Sequence, residues 1–290
     1  MIATNTTGIR WGTERRLEFI EFRLFWEGGV NRSDLVEEFG VSVPQASKDL
    51  ALYQAQAPDN IRYDRSQKRY LAADAFVPKF IKLDADAYLE QLTPNGHRIA
   101  NIDAVGHYGV DKLPIPQRQI RPSVLRALLT SARAGQSIDI LYQSMSSDRP
   151  KPLWRRISPH AFATDGLRWH TRAYCHLDRK FKDFILSRCL DTREPGSAGN
   201  VPSQDRIWNT EFSALLIPNP KLSASQQEVI AQDFHMEDGR AIITIRCAML
   251  YYFSKRLRLD LADRFDDPRE APVILKNRDE FAVALEEAMR

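Results

Sequence analysis

Apolar residues recur every three or four positions up to residue 75, every second position from 137 to 189, and in both periods thereafter. Leu17, Ile20 and Leu24 form the first stripe, which predicts a helix capped by Thr13 and closed at Gly28-Gly29. Asn31 opens a short second helix with Leu35 and Phe39 on one face, and Gly40 stands where a left-handed residue ends a helix. Ser42 followed by Gln45 reads as a capping box, in which the hydroxyl accepts the third amide while the glutamine reaches back to the cap amide. The third helix then turns Ala46, Leu50 and Tyr53 inward and leaves Gln45, Ser47 and Lys48 on its opposite face. Beyond it, Asn60 to Tyr63 and Lys68 to Leu71 flank a polar turn, which predicts a hairpin carrying Arg62, Arg65, Lys68 and Arg69. Two short helices across a glycine-containing turn, followed by a basic hairpin, match a winged helix-turn-helix. A generic three-helix core with a basic hairpin is the plainer alternative.

Residues 76–119 are mixed: Phe80, Leu83, Tyr88 and Leu92 suit a helix or two, while Pro94, Gly96, Gly106, Gly109, Pro114 and Pro116 punctuate a connecting segment. A helix from Pro122 to Ala134 leads into the period-2 region. There Ile138, Ile140 and Tyr142 share a face, as do Arg156, Ser158, His160 and Phe162, and again Arg168, His170, Arg172 and Tyr174. Phe184, Leu186 and Arg188 continue the pattern, so a small twisted sheet or barrel is expected. Glu194 to Asn200 has the chemistry of a linker. After it, strands at Leu215 to Ile217, Ala241 to Cys247 and Val273 to Leu275 alternate with helices at Ser223 to Phe234, Leu250 to Asp263 and Asp279 to Met289. The expected domains are 1–75, a helical linker 76–119, a barrel 120–194, and an α+β module 195–290.

Charge sharpens this division. The 290 residues carry 41 basic and 38 acidic side chains, a net of +3 that selects no partner. Residues 1–75 hold ten basic and eleven acidic groups, whereas residues 120–194 hold fourteen and seven, a local surplus of +7. The acids of the first helix, Glu14, Glu18, Glu21 and Glu27, are expected away from any DNA-facing surface. A hydrophobic content of 43% excludes a disordered chain. No apolar run is long enough for a membrane helix, and the first residues lack the apolar core of an export signal, so a cytoplasmic protein without membrane contact is expected. Three cysteines without a CxxC pair read as buried, reduced thiols.

No catalytic motif emerges. GxGxxG, GxxxxGK[ST], HExxH and GxSxG are all absent. His170, Cys175, His176 and Cys189 do not make a metal set, because alternation sends neighbours to opposite faces. A Ser144 or Ser158 nucleophile beside His160 lacks a visible carboxylate to orient the imidazole. No cofactor is implied. What remains is a face of many donors and almost no acceptors, built from Arg168, His170 and Arg172 beside Arg156, Ser158, His160 and Arg188, which suits phosphate. The bland reading of the same residues is a solvated basic face. Tyr142 and Tyr174 could stack on bases, while Trp169, out of phase with the arginines, reads as core.

Gly166-Leu167-Arg168-Trp169-His170-Thr171-Arg172-Ala173-Tyr174-Cys175, followed by Phe184-Ile185-Leu186-Ser187-Arg188, resembles the WYL domain, a small Sm/SH3-like β-barrel of bacterial regulators. The order winged helix, WYL, then a C-terminal α+β extension called WCX also matches. With Arg10-Trp11-Gly12-Thr13-Glu14-Arg15-Arg16-Leu17-Glu18-Phe19-Ile20-Glu21 and the Phe39-Gly40-Val41-Ser42 turn, the chain is most similar to the BrxR and CapW group of phage-defence repressors. His170 and Thr171 depart from the usual tyrosine and leucine after Trp169. The resemblance implies ligand contacts at Tyr142, Ser144, His160, Arg168, Arg172 and Arg188, a nucleotide or single-stranded nucleic acid as effector, a dimerising C-terminal module, and a linker that helps cross over between protomers.

The expectation is therefore an α+β multidomain, homodimeric repressor on an inverted-repeat DNA operator. Ser42, Pro44, Gln45, Ser47 and Lys48 would meet bases or adjacent phosphates, and Arg62, Arg65, Lys68 and Arg69 would grip the backbone or minor groove. A second expectation makes the basic barrel the main nucleic-acid surface and the winged helix an interaction module. A third, a nuclease, lacks a paired-carboxylate metal site.

Overall fold

The computed structural model describes residues 11–93, 109–197, 202–261 and 267–290, which fall into two compact units, Met1–Ile115 and Pro116–Arg290. Arg10, Pro94, Gly96, Gly106, Ala198, Gly199, Asn200 and Asp263, used in the sequence reading, lie outside the described residues.

In the first unit, α1 (Trp11–Trp26), α2 (Arg32–Phe39) and α3 (Val43–Gln56) precede the hairpin strands β1 (Ile61–Asp64) and β2 (Arg69–Ala72), and α4 (Ala85–Leu92) follows. Trp11 and Gly12 are already helical, so Thr13 cannot cap α1; its hydroxyl instead accepts from Arg16 Nη2 at 3.2 Å. Asn31 caps α2 with a full box, its side chain accepting from Asp34 N and its own N–H donating to the Asp34 carboxylate. Gly40 takes φ 63°, the left-handed C-cap that a side chain would strain. Ser42 caps α3, but the expected box is only half made, because Gln45 Nε2 donates onward to Asp49 Oδ1 at 3.0 Å.

Leu17, Ile20, Leu24, Leu35, Ala46, Leu50 and Tyr53 form the centre of this unit's core. The segment read as a connection is part of that core: Tyr88 and Leu92 are buried within it, Phe76, Phe80, Ile81 and Val110 pack against it, and the Tyr88 ring stacks on Trp26 at 4.4 Å. Strand β2 also docks against the turn after α1 through a Val30–Tyr70 bridge. At Gly29 any Cβ would come within 2.6 Å of the Tyr70 carbonyl, so the absence of a side chain sets how closely the hairpin approaches.

In the second unit, α5 (Pro122–Arg133) packs on an antiparallel sheet of β3 (Ile138–Tyr142), β4 (Leu153–Thr164), β5 (Trp169–Cys175), β6 (Lys180–Ile185) and β7 (Cys189–Arg193). Strand order is β6-β5-β4-β3-β7. Among the described residues β6 and β7 are free edges that do not pair, so the ladder is an open sheet rather than the closed barrel expected. A single helical turn, Leu186–Arg188, carries the chain from β6 to β7, so the sheet curls to bring these two edges near each other at that end without a ladder forming between them. Val124, Leu128, Ile138, Ile140, Ile157 and Phe184 fill its core.

The unit continues with α6 (Arg206–Asn209), β8 (Glu211–Pro218), α7 (Ala224–Asp233), β9 (Ala241–Arg246), α8 (Leu250–Arg256), β10 (Val273–Leu275) and α9 (Arg278–Met289). The strands form a sheet in the order β10-β8-β9, with Ala214, Ile245, Cys247, Leu250 and Phe281 at its core. Ser223 caps α7 through a full box with Gln226. Helix α8 stops at Arg256, earlier than expected, in a run of turns. Among the described residues no helix is long and apolar enough to cross a membrane.

Candidate nucleic-acid interface

The inner face of α3 is locked before its outer face can serve anything. Asp49, 1% exposed, receives Arg16 of α1 at 2.6 Å and Gln45 of its own helix. One turn on, the Tyr53 hydroxyl donates to Glu21 at 3.0 Å. Glu21 is itself fully buried and also accepts the backbone amides of Lys79, Phe80 and Ile81. Sequence reading had set Glu21 among acids that merely avoid DNA. It is an internal anchor, and no local signal marked it, since Tyr53 lies 32 residues away and the three amides 58 to 60.

With that face fixed, Ser42, Val43, Pro44 and Lys48 are exposed, Gln45 and Ser47 half-buried. Ser47 Oγ donates to Val43 O at 3.0 Å. On the hairpin, Arg62, Tyr63, Arg65 and Lys68 are exposed, and Lys68 takes φ 52° in a turn held by Asp64, whose Oδ1 accepts Ser66 and Gln67 amides. Among the described residues Lys48, Arg62, Arg65 and Lys68 form no ion pair within 4.0 Å. Arg69 differs: it is half-buried and donates Nη2 to the Gly29 carbonyl at 2.5 Å, clamping the hairpin to the turn after α1.

The basic sheet face turns out to be rich in acceptors. Arg172, 6% exposed, donates Nε and Nη2 to Asp205 at 2.7 and 3.1 Å and Nη1 to Asp183 at 3.2 Å. His160 meets the same Asp205 at 3.0 Å, supplying the imidazole–carboxylate pair that the sequence had hidden. Ser158 does not complete a triad there, because its hydroxyl lies 2.8 Å from His176 Nε2 instead. A register shift between Pro159 and Ala161 breaks the strict alternation, which is how His160 reaches Asp205. Arg156 pairs with Asp139 and Arg168 with Asp165, each at 2.8 Å. Five aspartates therefore oppose the arginines, Asp178 completing the set by receiving Arg149, Lys182 and Arg155. A count by sequence could not see this, because it does not say which acids face the arginines, and Asp205 lies beyond the linker.

The eight expected ligand residues do not gather at one point. His160, Arg168, His170 and Arg172 belong to one network: the His170 ring lies 4.6 Å from Tyr252, whose hydroxyl donates to Asp183 and whose ring sits beneath Arg168. Arg156 belongs to a second, with Asp139. Tyr142 and Arg188 form a third, with the Ile185 amide donating to the Tyr142 hydroxyl, and Ser144 Oγ accepts from Ser146 N in the following loop. Trp169, read as core, is 50% exposed. It borders a cleft of about 100 Å³ with Gln117, Arg118, Arg168 and Ser187. A larger cavity of about 300 Å³ is lined by Arg172, Lys180, Lys182, Asp183, Tyr252 and Arg290.

Electrostatics follow from these pairings. Burial works to raise the Asp205 pKa, but hydrogen bonds from His160 and Arg172 outweigh it and hold the carboxyl far below the usual range. Arg149 above all, then Lys182 and the Cys175 thiol, does the same to Asp178. Burial pushes the Cys189 thiol up to about 12, and all three cysteines are free and buried. Burial also lowers the His170 pKa. Neither ring nitrogen has good hydrogen-bond geometry, and the nearby Asp183 and Asp165 carboxylates, with a smaller contribution from the Ala163 carbonyl, only partly counter the effect. A histidine depressed in the folded state binds protons better when unfolded, so stability falls as pH drops below about 6.5. His170→Phe, which keeps the ring against Tyr252, is expected to flatten part of that slope between about pH 7 and 5 in urea unfolding; an unchanged slope would remove His170 as its source.

A winged-helix family model, the BrxR transcriptional regulator winged helix-turn-helix domain, matches residues 12–94. The WYL domain matches residues 123–194, and the BrxR transcriptional regulator C-terminal dimerization domain residues 213–281. These three in this order define the class, a WYL-domain transcriptional regulator. The DNA-binding transcriptional repressor CapW of Escherichia coli strain KTE188 is 36% identical over 288 residues, 97% of this chain and 94% of the relative. CapW of Stenotrophomonas maltophilia is 38% identical over 284 residues, 97% and 94% of the two chains, and that of Pseudomonas aeruginosa 37% over 282 residues, 94% and 92%. The chain belongs to the CapW family of DNA-binding transcriptional repressors. A solved structure, proteasome accessory factor B/C (PafBC) of Arthrobacter aurescens, covers 96% of this chain but 48% of its own at 15% identity and a TM-score of 0.26, a likeness too loose to carry an argument.

Proposed function

We propose that this protein is a sequence-specific DNA-binding transcriptional repressor that acts as a homodimer on an inverted repeat. The observation that carries this reading is the exposed head of α3, Ser42, Pro44 and Lys48, in the same unit as a hairpin whose Arg62, Arg65 and Lys68 have no ion-pair partners within 4.0 Å among the described residues. The N-terminus of α3 adds a partial positive charge that favours DNA phosphate. Two copies, with half-sites about one DNA turn apart or a multiple of it, supply the affinity that one weakly charged module lacks. Gln45 and Ser47 then complete the base-facing row, and Arg69 stiffens the wing behind it. Residues 1–75 carry the DNA contacts, 76–92 brace them from within the same core, 120–194 form the sensing sheet and 195–290 the dimer contact. In keeping with its family, the operon under its control belongs to phage defence. No step of this function calls for catalysis.

A phosphate-rich effector, a nucleotide or single-stranded nucleic acid, acts through the second unit by competing with Asp205 and Asp183 for Arg172 and by engaging His160, Arg168 and His170 of the same network; Arg156, Tyr142, Ser144 and Arg188 lie in other networks and are left to a longer nucleic acid. It shifts the dimer only as far as its affinity differs between the DNA-binding and non-binding states. The half-exposed Trp169 beside Arg118 and Arg168 favours a second reading, in which this sheet is itself the main nucleic-acid surface.

The test is Lys48→Ala, assayed on DNA that co-purifies with the protein. Losing one phosphate contact per protomer is expected to weaken binding about tenfold or more and to reduce the log–log salt slope by about 1.8, two contacts at roughly 0.9 each. Unchanged binding by a folded dimer would reject the α3 assignment and favour the second reading.

A further inference from the structure

A glutamine amide can be turned two ways that expose opposite orders of donor and acceptor, so the base it reads depends on what holds it. In α3 the holder is Asp49, 1% exposed and one helical turn beyond Gln45. Asp49 meets Arg16 through both oxygens, Oδ2 at 2.6 Å from Nε and Oδ1 at 3.3 Å from Nη2. Arg16 is fastened in turn, its Nη1 donating to the Gly12 carbonyl at 2.7 Å and its Nη2 to the Thr13 hydroxyl at 3.2 Å. An ion-paired carboxylate accepts and does not donate, so only the NH2 end of Gln45 can face it, and Nε2 lies 3.0 Å from Asp49 Oδ1. Turning the amide over would set two oxygens against each other. Repulsion between Oε1 and the carboxylate also favours the hydrogen trans to Oε1 in that bond, which leaves the cis hydrogen and Oε1 side by side. Among the described residues neither has a protein partner.

We propose that Arg16 and Asp49 position Gln45 to read one adenine in each half-site of the operator. The inference rests on the α3 assignment above and adds to it a base and the pair of residues that sets it. The open edge of Gln45, one donor beside one acceptor, complements adenine, whose major-groove edge offers N7 as acceptor and the N6 amino group as donor. Guanine offers two acceptors, N7 and O6, so Oε1 would face O6 unpaired. Thymine offers one acceptor beside a methyl group and cytosine one donor, and neither engages both atoms of the amide. Holding the side chain before DNA arrives also lowers the cost of ordering it on binding. Asp49 is buried and reaches no base itself: it acts through Gln45, and Arg16 acts through Asp49. The same arrangement accounts for the half-made capping box of α3, since the side chain that would close the box is engaged at Asp49.

Selection of binding duplexes from a randomised library by the full chain, followed by affinity measurements on the selected site, tests this. The wild type is expected to select adenine at one position of each half-site, and replacing both with guanine to weaken binding roughly 30-fold or more. Gln45→Ala is expected to erase the preference at that position alone. Asp49→Asn, whose amide accepts or donates and so no longer keys the glutamine, is expected to relax the adenine preference about tenfold while preferences at other positions persist. Arg16→Lys keeps the charge without the two-point grip and is expected to relax it part way, which serves where Asp49→Asn does not fold. Adenine preference at full strength in folded Gln45→Ala overturns the reading of Gln45. Asp49→Asn and Arg16→Lys variants that bind all sequences equally weakly, with the adenine preference intact, overturn the positioning role. A wild type that selects no adenine dependent on Gln45, while Lys48→Ala still weakens binding, overturns this inference and leaves the α3 assignment standing. A wild type that binds no duplex specifically overturns both.

Discussion

Asp205→Ala is expected to destabilise the second unit by about 3–5 kcal/mol, the usual cost of stripping one partner from a buried ion pair. Asp205 is 1% exposed and accepts from Arg172, His160 and the Trp208 amide. Its removal leaves the buried Arg172 guanidinium with Asp183 alone and frees the start of α6. Because the folded carboxyl is held below its ordinary value, the stability it contributes is fully present above the unfolded pKa of about 3.9 and fades as pH falls through the folded value. Urea unfolding from pH 7 down to pH 3 therefore separates the variants: Asp205→Ala begins low and changes less with acid, while the wild type begins high and loses more. A loss under about 1 kcal/mol at pH 7 would show that Arg172 finds another acceptor.

Glu21→Ala is the second large effect. The carboxylate of Glu21 accepts three backbone amides, at 2.6 Å from Phe80, 2.8 Å from Ile81 and 3.0 Å from Lys79, besides the Tyr53 hydroxyl. Hydrogen bonds to a charged group contribute about 1.5–3 kcal/mol each, and three stranded amides in a buried site bring the expected loss to about 4 kcal/mol or more. Glu21 joins α1, α3 and the strap at residues 79–81, so DNA binding should fall with stability. Lys48→Ala should lose binding with its melting temperature unchanged. Burial, with Glu21 beside it, also pushes the Tyr53 phenol well above its ordinary range, so that tyrosine stays a donor across the working pH. Glu21→Gln, which keeps the shape but turns an amide donor toward backbone donors, should fall between the two.

Much of the fold was legible because its signals are local. Asn31, Gly40 and Ser42 act on amides within four residues of themselves, and the apolar stripes of α1 and α3 declare the buried side of each helix. In the C-terminal module the expected strands and helices appear in the expected order, but β8 begins four residues early at Glu211, α8 ends at Arg256, and the short α6 carried no signal in the pattern. Errors arose where a neighbour in space overrode a neighbour in sequence. Gln45 left its box for Asp49, the segment after 75 joined the core through Tyr88 and Leu92, and the edges β6 and β7 do not pair among the described residues.

By itself the sequence determined the order of most helices and strands, which face of α3 turns inward, and that a basic region precedes a linker. Only the tertiary structure decided which charges are available. Arg172 meets Asp205 across 33 positions, His160 meets it across 45, and Glu21 reaches the Phe80 amide across 59. Periodicity reports direction along one element, but an electric field depends on distance between elements, and that distance exists only once the chain has folded back on itself.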